Sequence, residues 1–193
     1  MNGDTAERIL NVAHTLLAER GFSAFSYADI AEAIQIRKPS IHHHFPTKTA
    51  LVVAVLRRHR LRMEEAHTWL DQNISSPVER LEKYVAYWEA CIRSMTEPFC
   101  IAALLGAELP SLPEEIQTEV GKHFTHLRDW IAKTMEAGVE QKKIKLRGTP
   151  DLEAEMLMAA VHGAMISARV NNSSVLFQQI TANAIQRLLI QEA

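Results

Sequence analysis

Apolar residues recur every third or fourth position from one end of the chain to the other, and no stretch alternates as a half-buried strand does. The pattern predicts an all-α protein of about nine helices. A first helix is expected over residues 5–20, capped by Asp4 with Glu7 three residues on, its apolar face formed by Ile9, Ala13, Leu16 and Leu17 and its stop at Gly21. Ser26 precedes YADIAEAI, where Ile30, Ala31 and Ile34 share one face, and the period restarts at Ile41 and Phe45. These two helices are each only two or three turns long. They must pack on the first and on each other to persist.

Pro46 and Thr47 then open a long amphipathic helix over about residues 48–72, with Leu51, Val55, Leu56, Met63 and Trp69 among its apolar positions and Arg57, Arg58, Arg60 and Arg62 on its exposed face. Later starts are expected at Ser76-Pro-Val-Glu79, Thr96-Glu-Pro98, Ser111 to Glu114 and Thr149-Pro-Asp151. The gaps are short, and no repeat or low-complexity linker interrupts them. The expected division is residues 1–48 and residues 49–193.

Composition narrows the class. With 47% hydrophobic and 23% charged residues, the 193-residue chain reads as a globular protein. ALVVAVL is cut short by Arg57 and Arg58, and MLMAAVHGAMISA has thirteen residues including His162, so neither spans a bilayer. MNGDTAER lacks a cationic stretch feeding an apolar one, and the expected location is the cytoplasm. Two cysteines, Cys91 and Cys100, make no disulfide framework and fit a reducing compartment. The charge is uneven. Residues 1–62 hold nine Lys and Arg against five Asp and Glu, a balance of +4, while the rest hold twelve against eighteen, a balance of −6, within a total of −2. A basic start on an acidic body points to a polyanion-binding module.

Within that start lies RKPSIHHHFPTK, residues 37–48. Successive helical side chains point about 100° apart, so His42, His43 and His44 do not converge on one ion. The chain offers no paired carboxylates in a suitable context, no phosphate loop and no Gly-x-Ser-x-Gly elbow, so an enzyme is not expected. Two short helices around a tight turn, with Arg37 and Lys38 leading and small Ser40 following, suit a helix laid in a major groove.

The segment from Ile9 to Leu51 resembles the DNA-binding domain of the TetR family of bacterial transcriptional regulators. The resemblance rests on Gly21-Phe22, Ile30-Ala31, Ile41-His-His-His44-Phe45 and Thr47-Lys48-Thr-Ala-Leu51. The sequence departs from the family pattern at Gln35, Arg37, Pro39 and His42. The resemblance implies a three-helix helix-turn-helix domain, joined by the long fourth helix to a helical effector-binding and dimerisation domain. It also implies a repressor released from inverted-repeat, double-stranded operator DNA by a small molecule. Combined with side-chain chemistry, it puts Arg37, Lys38, Ser40, His42 and His43 near base edges. Ser26, Tyr27, Thr47 and Lys48 are expected near phosphates, and His44 either braces the turn or joins them.

By the same resemblance the last two helices form a four-helix interface in a homodimer, with Leu157, Val161, Ala164, Met165, Ala168, Phe177, Ile180, Ala184 and Leu188 as its residues. Trp88, Cys91, Met95, Phe99, Cys100, Leu104, Phe124, Leu127 and Met158 are candidates for the wall of an effector cavity; each also serves as plain core. PFCIAALLGAE resembles a family branch with Gly-Cys-Leu at this point, some members of which sense electrophiles or oxidants through the cysteine. If Pro98 starts a helix, Cys100 sits in its first turn, where a thiolate is stabilised; otherwise it is a buried inert thiol. Two alternatives stand beside this reading: a metal-responsive regulator using His123 and His126, one turn apart, and a helical interaction module that does not bind DNA. No cofactor is expected.

Overall fold

The structure, a computed structural model, describes residues 2–94 and 99–190. The described residues form nine α-helices: α1 (Asn2–Arg20), α2 (Tyr27–Ile34), α3 (Lys38–His44), α4 (Lys48–Asn73), α5 (Pro77–Ser94), α6 (Ile101–Ala107), α7 (Glu114–Glu140), α8 (Pro150–Asn171) and α9 (Ser174–Gln186). A 3-10 turn, Leu109–Ser111, lies between α6 and α7. β structure among these residues is one antiparallel bridge between Ile144 and Leu189.

The helices fall into two compact units. The first is formed by the described residues up to Met63 together with Phe99–His123, the second by those from Glu64 to Ser94 and from Phe124 onward. The boundary expected after residue 48 lies inside the first unit, because Leu51, Val52, Val55 and Leu56 near the start of α4 are as buried as Ile9, Leu17, Ile30 and Ile41 of the leading helices. In that unit α1, α2 and α3 pack on one another, and α1 also meets α6. Gly21 ends α1 with φ +75 and gives its N–H to Leu17.

Several helix starts differ from expectation. α1 begins at Asn2, so Asp4 lies in its first turn and does not cap it. The Ser111 hydroxyl donates back to the Glu108 carbonyl at 2.8 Å, closing the 3-10 turn, and α7 starts at Glu114. Ser76 and Thr149 do accept the N–H of Glu79 and Leu152, both at 3.3 Å. Thr96-Glu-Pro98 lies outside the described residues. The arginines of α4 are not a free solvated face. Arg58 pairs with Glu7 at 2.8 Å, and Arg57 and Arg60 reach Glu119, which Lys122 also contacts at 2.8 Å.

In the second unit α9 packs on α5 and α8. Phe177 is fully buried there, a contribution of about 2–3 kcal/mol. Most side chains expected at the interface turn inward within one chain. Leu157, Val161, Ala164, Met165, Ala168, Phe177 and Leu188 are buried within the chain itself, while Ile180 and Ala184 are partly exposed. The exposed apolar side chains of α8 are instead Leu152, Met156, Ile166 and Val170. With Ala159 and Gly163 they recur at alternating steps of four and three, a second stripe on the same helix. A helix apolar on two faces does not reveal from its sequence which face turns inward.

Candidate nucleic-acid interface

The turn between α2 and α3 is built from backbone bonds. Gln35 adopts a left-handed φ of 54, its N–H reaches Glu32, and the N–H of Ile36 reaches Ala31 at 3.0 Å. Arg8 of α1 donates to the Ile34 carbonyl at 3.0 Å, satisfying the end of α2 from outside. Ile41 is fully buried and fixes the inward face of α3. Its other face is open. Arg37, Lys38, Pro39, Ser40, His42 and His43 are exposed, and the side chains of Arg37 and Lys38 carry no ion pair among the described residues. Two exposed cations thus lead a short helix whose backbone is clamped.

The remaining expected contacts divide. Ser26 caps α2, its hydroxyl accepting from Ala28 at 3.2 Å, while Asp29 accepts from the Ser26 N–H at 2.7 Å. The Ser26 hydroxyl also donates to the Asp29 carboxylate at 2.7 Å, and this bond first, with that of the Ser26 N–H, holds the Asp29 carboxyl below its usual range. Thr47 caps α4 by accepting from Ala50 at 3.0 Å. Tyr27 is buried, and its hydroxyl donates to the Phe45 carbonyl at 2.8 Å, closing the far end of α3; burial pushes its pKa up to about 12. Lys48 is turned inward. Its ammonium donates to the Phe25 carbonyl and lies 4.7 and 4.2 Å from the Phe22 and Phe25 ring centres. Burial lowers its pKa, against the fields of Asp29 and Glu108. Tyr27 therefore braces α3 from behind, while Lys48 fastens the start of α4 to the loop between α1 and α2. His42 packs its ring 4.7 Å from Tyr27 and approaches the Pro46 carbonyl at 3.2 Å, and His43 meets His44 edge to face. His44 is half-buried and adjoins Phe45.

The effector candidates are divided between the units. Phe99, Cys100 and Leu104 belong to the first; Trp88, Cys91, Phe124, Leu127 and Met158 belong to the second, and Met95 lies outside the described residues. A cavity of about 300 Å³ in the second unit is lined by other side chains, among them Lys145, Arg147, Leu152, Met156 and Arg187. Cys100 is the N-cap of the seven-residue α6, not a residue of its first turn, and is buried.

His123 and His126 join different clusters. His123 meets His59 and Cys100. His126 lies 3.1 Å from His67, whose ring stacks on Trp130 at 3.9 Å. Burial, with help from His126, lowers the His67 pKa to about 3. His59 and His67 were not singled out in the sequence, although both continue the buried stripe Val52, Val55, Leu56, Met63 at helical spacing. A histidine at a core position is the signal that would have found them.

Residues 9–55 match the model of bacterial regulatory proteins of the tetR family, and residues 77–184 match that of the tetracyclin repressor-like C-terminal domain. A solved TetR-family transcriptional regulator from Agrobacterium tumefaciens is 43% identical, covers 98% of this chain and 100% of its own, and superimposes with a TM-score of 0.96. The HTH-type transcriptional repressor NemR of Escherichia coli is 26% identical over 174 residues, 88% of this chain and 86% of NemR. The repressor DhaR of a Mycobacterium species is 28% identical over 179 residues, 89% and 85% of the two chains.

Proposed function

The chain belongs to the TetR family of bacterial regulatory proteins, and from that premise we propose that it is a homodimeric repressor released from an inverted-repeat operator by a small-molecule signal. The observation that carries this reading is the pair of exposed cations, Arg37 and Lys38, at the leading end of a helix clamped by Ile41, Tyr27 and the Gln35 turn. Arg37 and Lys38 read guanine edges, Ser40 and His43 add single hydrogen bonds, and the exposed Ser26 and Thr47 at two helix starts approach phosphates. The half-sites are then presented about 34 Å apart or somewhat more. Selection of bound fragments from genomic DNA tests the reading. An enriched inverted repeat with that spacing supports it; recovery of fragments without any shared motif contradicts it.

The second copy docks on the exposed stripe Leu152, Met156, Ile166 and Val170. Ile166→Glu should convert the dimer to monomers in sedimentation while leaving helix content intact. An unchanged dimer would remove the stripe from the interface.

An effector acts by favouring a geometry in which the two reading helices no longer match successive grooves. A reactive electrophile is a second form of signal, because the Cys100 sulfur has an imidazole nitrogen of His59 and one of His123 within 4.0 Å, each able to take its proton. Electrophile treatment should then release DNA from the parent protein and not from Cys100→Ser. Equal release from both would end the electrophile version and leave the small-molecule one.

A further inference from the structure

Three side chains that the DNA-reading surface does not use meet inside the first unit. His59 of α4, Cys100 at the start of α6 and His123 of α7 each offer one ligand atom, and these atoms all lie within 4.8 Å of one another. The sulfur stands 4.0 Å from Nε2 of His59 and 3.9 Å from Nε2 of His123. All three residues are buried, at 6, 1 and 3% exposure. We propose that this trio binds a thiophilic d10 cation, Zn(II) or Cu(I), and that its occupancy sets the affinity of the reading helix for DNA. The second half rests on the regulator reading above; the first does not.

The donor set is the first argument. Two imidazoles and one thiolate match borderline-soft ions and discriminate against Mg(II) and Ca(II), which take oxygen. Zn–N bonds of about 2.0–2.1 Å and a Zn–S bond of about 2.3 Å put tetrahedral ligand atoms roughly 3.4–3.6 Å apart. The two sulfur–nitrogen separations are a few tenths of an ångström too long for a closed site, and the widest separation within the trio exceeds it by at most about 1.4 Å. As the metal–sulfur bond forms, Cys100 releases its thiol proton to solvent, and both histidines bind as neutral rings. No electron changes hands. Zn(II) with one thiolate leaves a net charge of +1 in the site and Cu(I) leaves none, and the nearby carboxylate of Glu119, one turn before His123, is engaged by Arg57, Arg60 and Lys122. Charge balance in a dry site thus favours Cu(I).

The second argument is where the ligands lead. Three helices converge on the trio, and His14 of α1 packs its ring 5.8 Å from that of His59. α6 is the shortest link. Its first end carries Cys100, and Glu108 at its other end accepts the Phe22 N–H at 3.1 Å, just past the Gly21 stop of α1. The same carboxylate sits in the field of Lys48, which is bound to Phe25. A pull on Cys100 is delivered, about 12 Å along the helix axis, to the loop that joins α1 to α2.

The test uses the full chain with its thiols reduced, under anaerobic conditions. Zn(II) and Cu(I) are each titrated against a chromophoric chelator, and Co(II) serves as a spectroscopic stand-in. The expected result is one ion per chain, a thiolate-to-cobalt charge-transfer band, at least 100-fold weaker binding in Cys100→Ser, at least tenfold weaker binding in His59→Gln and His123→Gln, and retention in Cys91→Ser. Melting curves establish that each variant folds; if one does not, the cobalt band of the parent protein decides. Failure of all three ions to bind, or equal binding by Cys100→Ser, overturns the site. Binding of Zn(II) alone or Cu(I) alone supports it and identifies the ion. Operator affinity should then shift at least tenfold with the ion in the parent and not in Cys100→Ser; a bound ion with no such shift overturns the coupling. A protein that holds the ion yet binds no duplex in any state retains the site and loses the regulator reading.

Discussion

Gly21 shows how much a single position depends on a residue far away in sequence. A left-handed stop after the first helix was legible from its place beyond the last apolar repeat. Its second constraint was not: a Cβ here would lie 2.0 Å from the Glu108 carboxylate, which holds the Phe22 N–H. Gly21→Ala combines backbone strain with displacement of that carboxylate, and should lower stability by about 2 kcal/mol in a urea titration; an unchanged midpoint would contradict this. Lys48 taught a similar lesson, since Phe22 and Phe25 turn it inward and no local pattern announces that. His67 gives a pH prediction. Its folded pKa is about 3 against about 6.5 when unfolded, so between those values the unfolded chain takes the proton and the folded chain does not. The stability it contributes is complete above about pH 6.5 and is lost as pH falls toward 3; His162, lowered to about 4 by burial, adds in the same direction. About 2 kcal/mol should disappear for His67 between pH 7 and pH 5, and His67→Gln should flatten the urea-midpoint slope. The same slope in both proteins would be the contrary result.

At the scale of elements, α2 was readable because its Ser26 cap and its apolar repeat agree, and Ile41 inside KPSIHHH is buried as its spacing implies, whereas the Asp4 cap expected for α1 is not made. The faces of longer helices were harder to read. The arginines of α4 look solvated in sequence, yet Arg58 and Arg60 are only 15 and 18% exposed, because Glu7 and Glu119 draw them down. Glu119 fastens α4 to α7 within the first unit, its own burial raising its pKa but outweighed by Lys122, Arg57 and Arg60, which leave it below the usual carboxylate value. Glu119→Gln removes the charge that those three cations share. A loss of about 2–3 kcal/mol is expected, less than for a fully buried pair because Arg57 and Lys122 keep water. By linkage this contribution is present above the unfolded pKa and is lost as pH falls through the lower folded value. Calorimetry at pH 7 showing no change in Tm for the variant would refute the role. For α8 the sequence offered two apolar stripes, and only packing chose Leu157, Val161 and Met165 for the inside and Met156, Ile166 and Val170 for the outside.

For the whole molecule, class and kinship were legible because helical periodicity and the run from Gly21-Phe22 to Leu51 are local properties of the chain. The buried trio of His59, Cys100 and His123 was not, because its members, from α4, the N-cap of α6 and α7, are 41 and 23 residues apart. The positive balance of the first 62 residues also acquires a place in the fold. Arg57, Arg58 and Arg60 are paired with internal carboxylates, while Arg37 and Lys38 are exposed and have no ion pair among the described residues. DNA recognition should therefore depend on those two far more than on the α4 arginines. The most direct measurement is binding of the selected operator by the parent protein and by a folded Arg37→Ala/Lys38→Ala double variant across a salt series. Reading of bases and phosphates by this pair predicts at least a tenfold loss of affinity and a shallower salt slope in the double variant. Equal affinity and equal slope in the two proteins would contradict it.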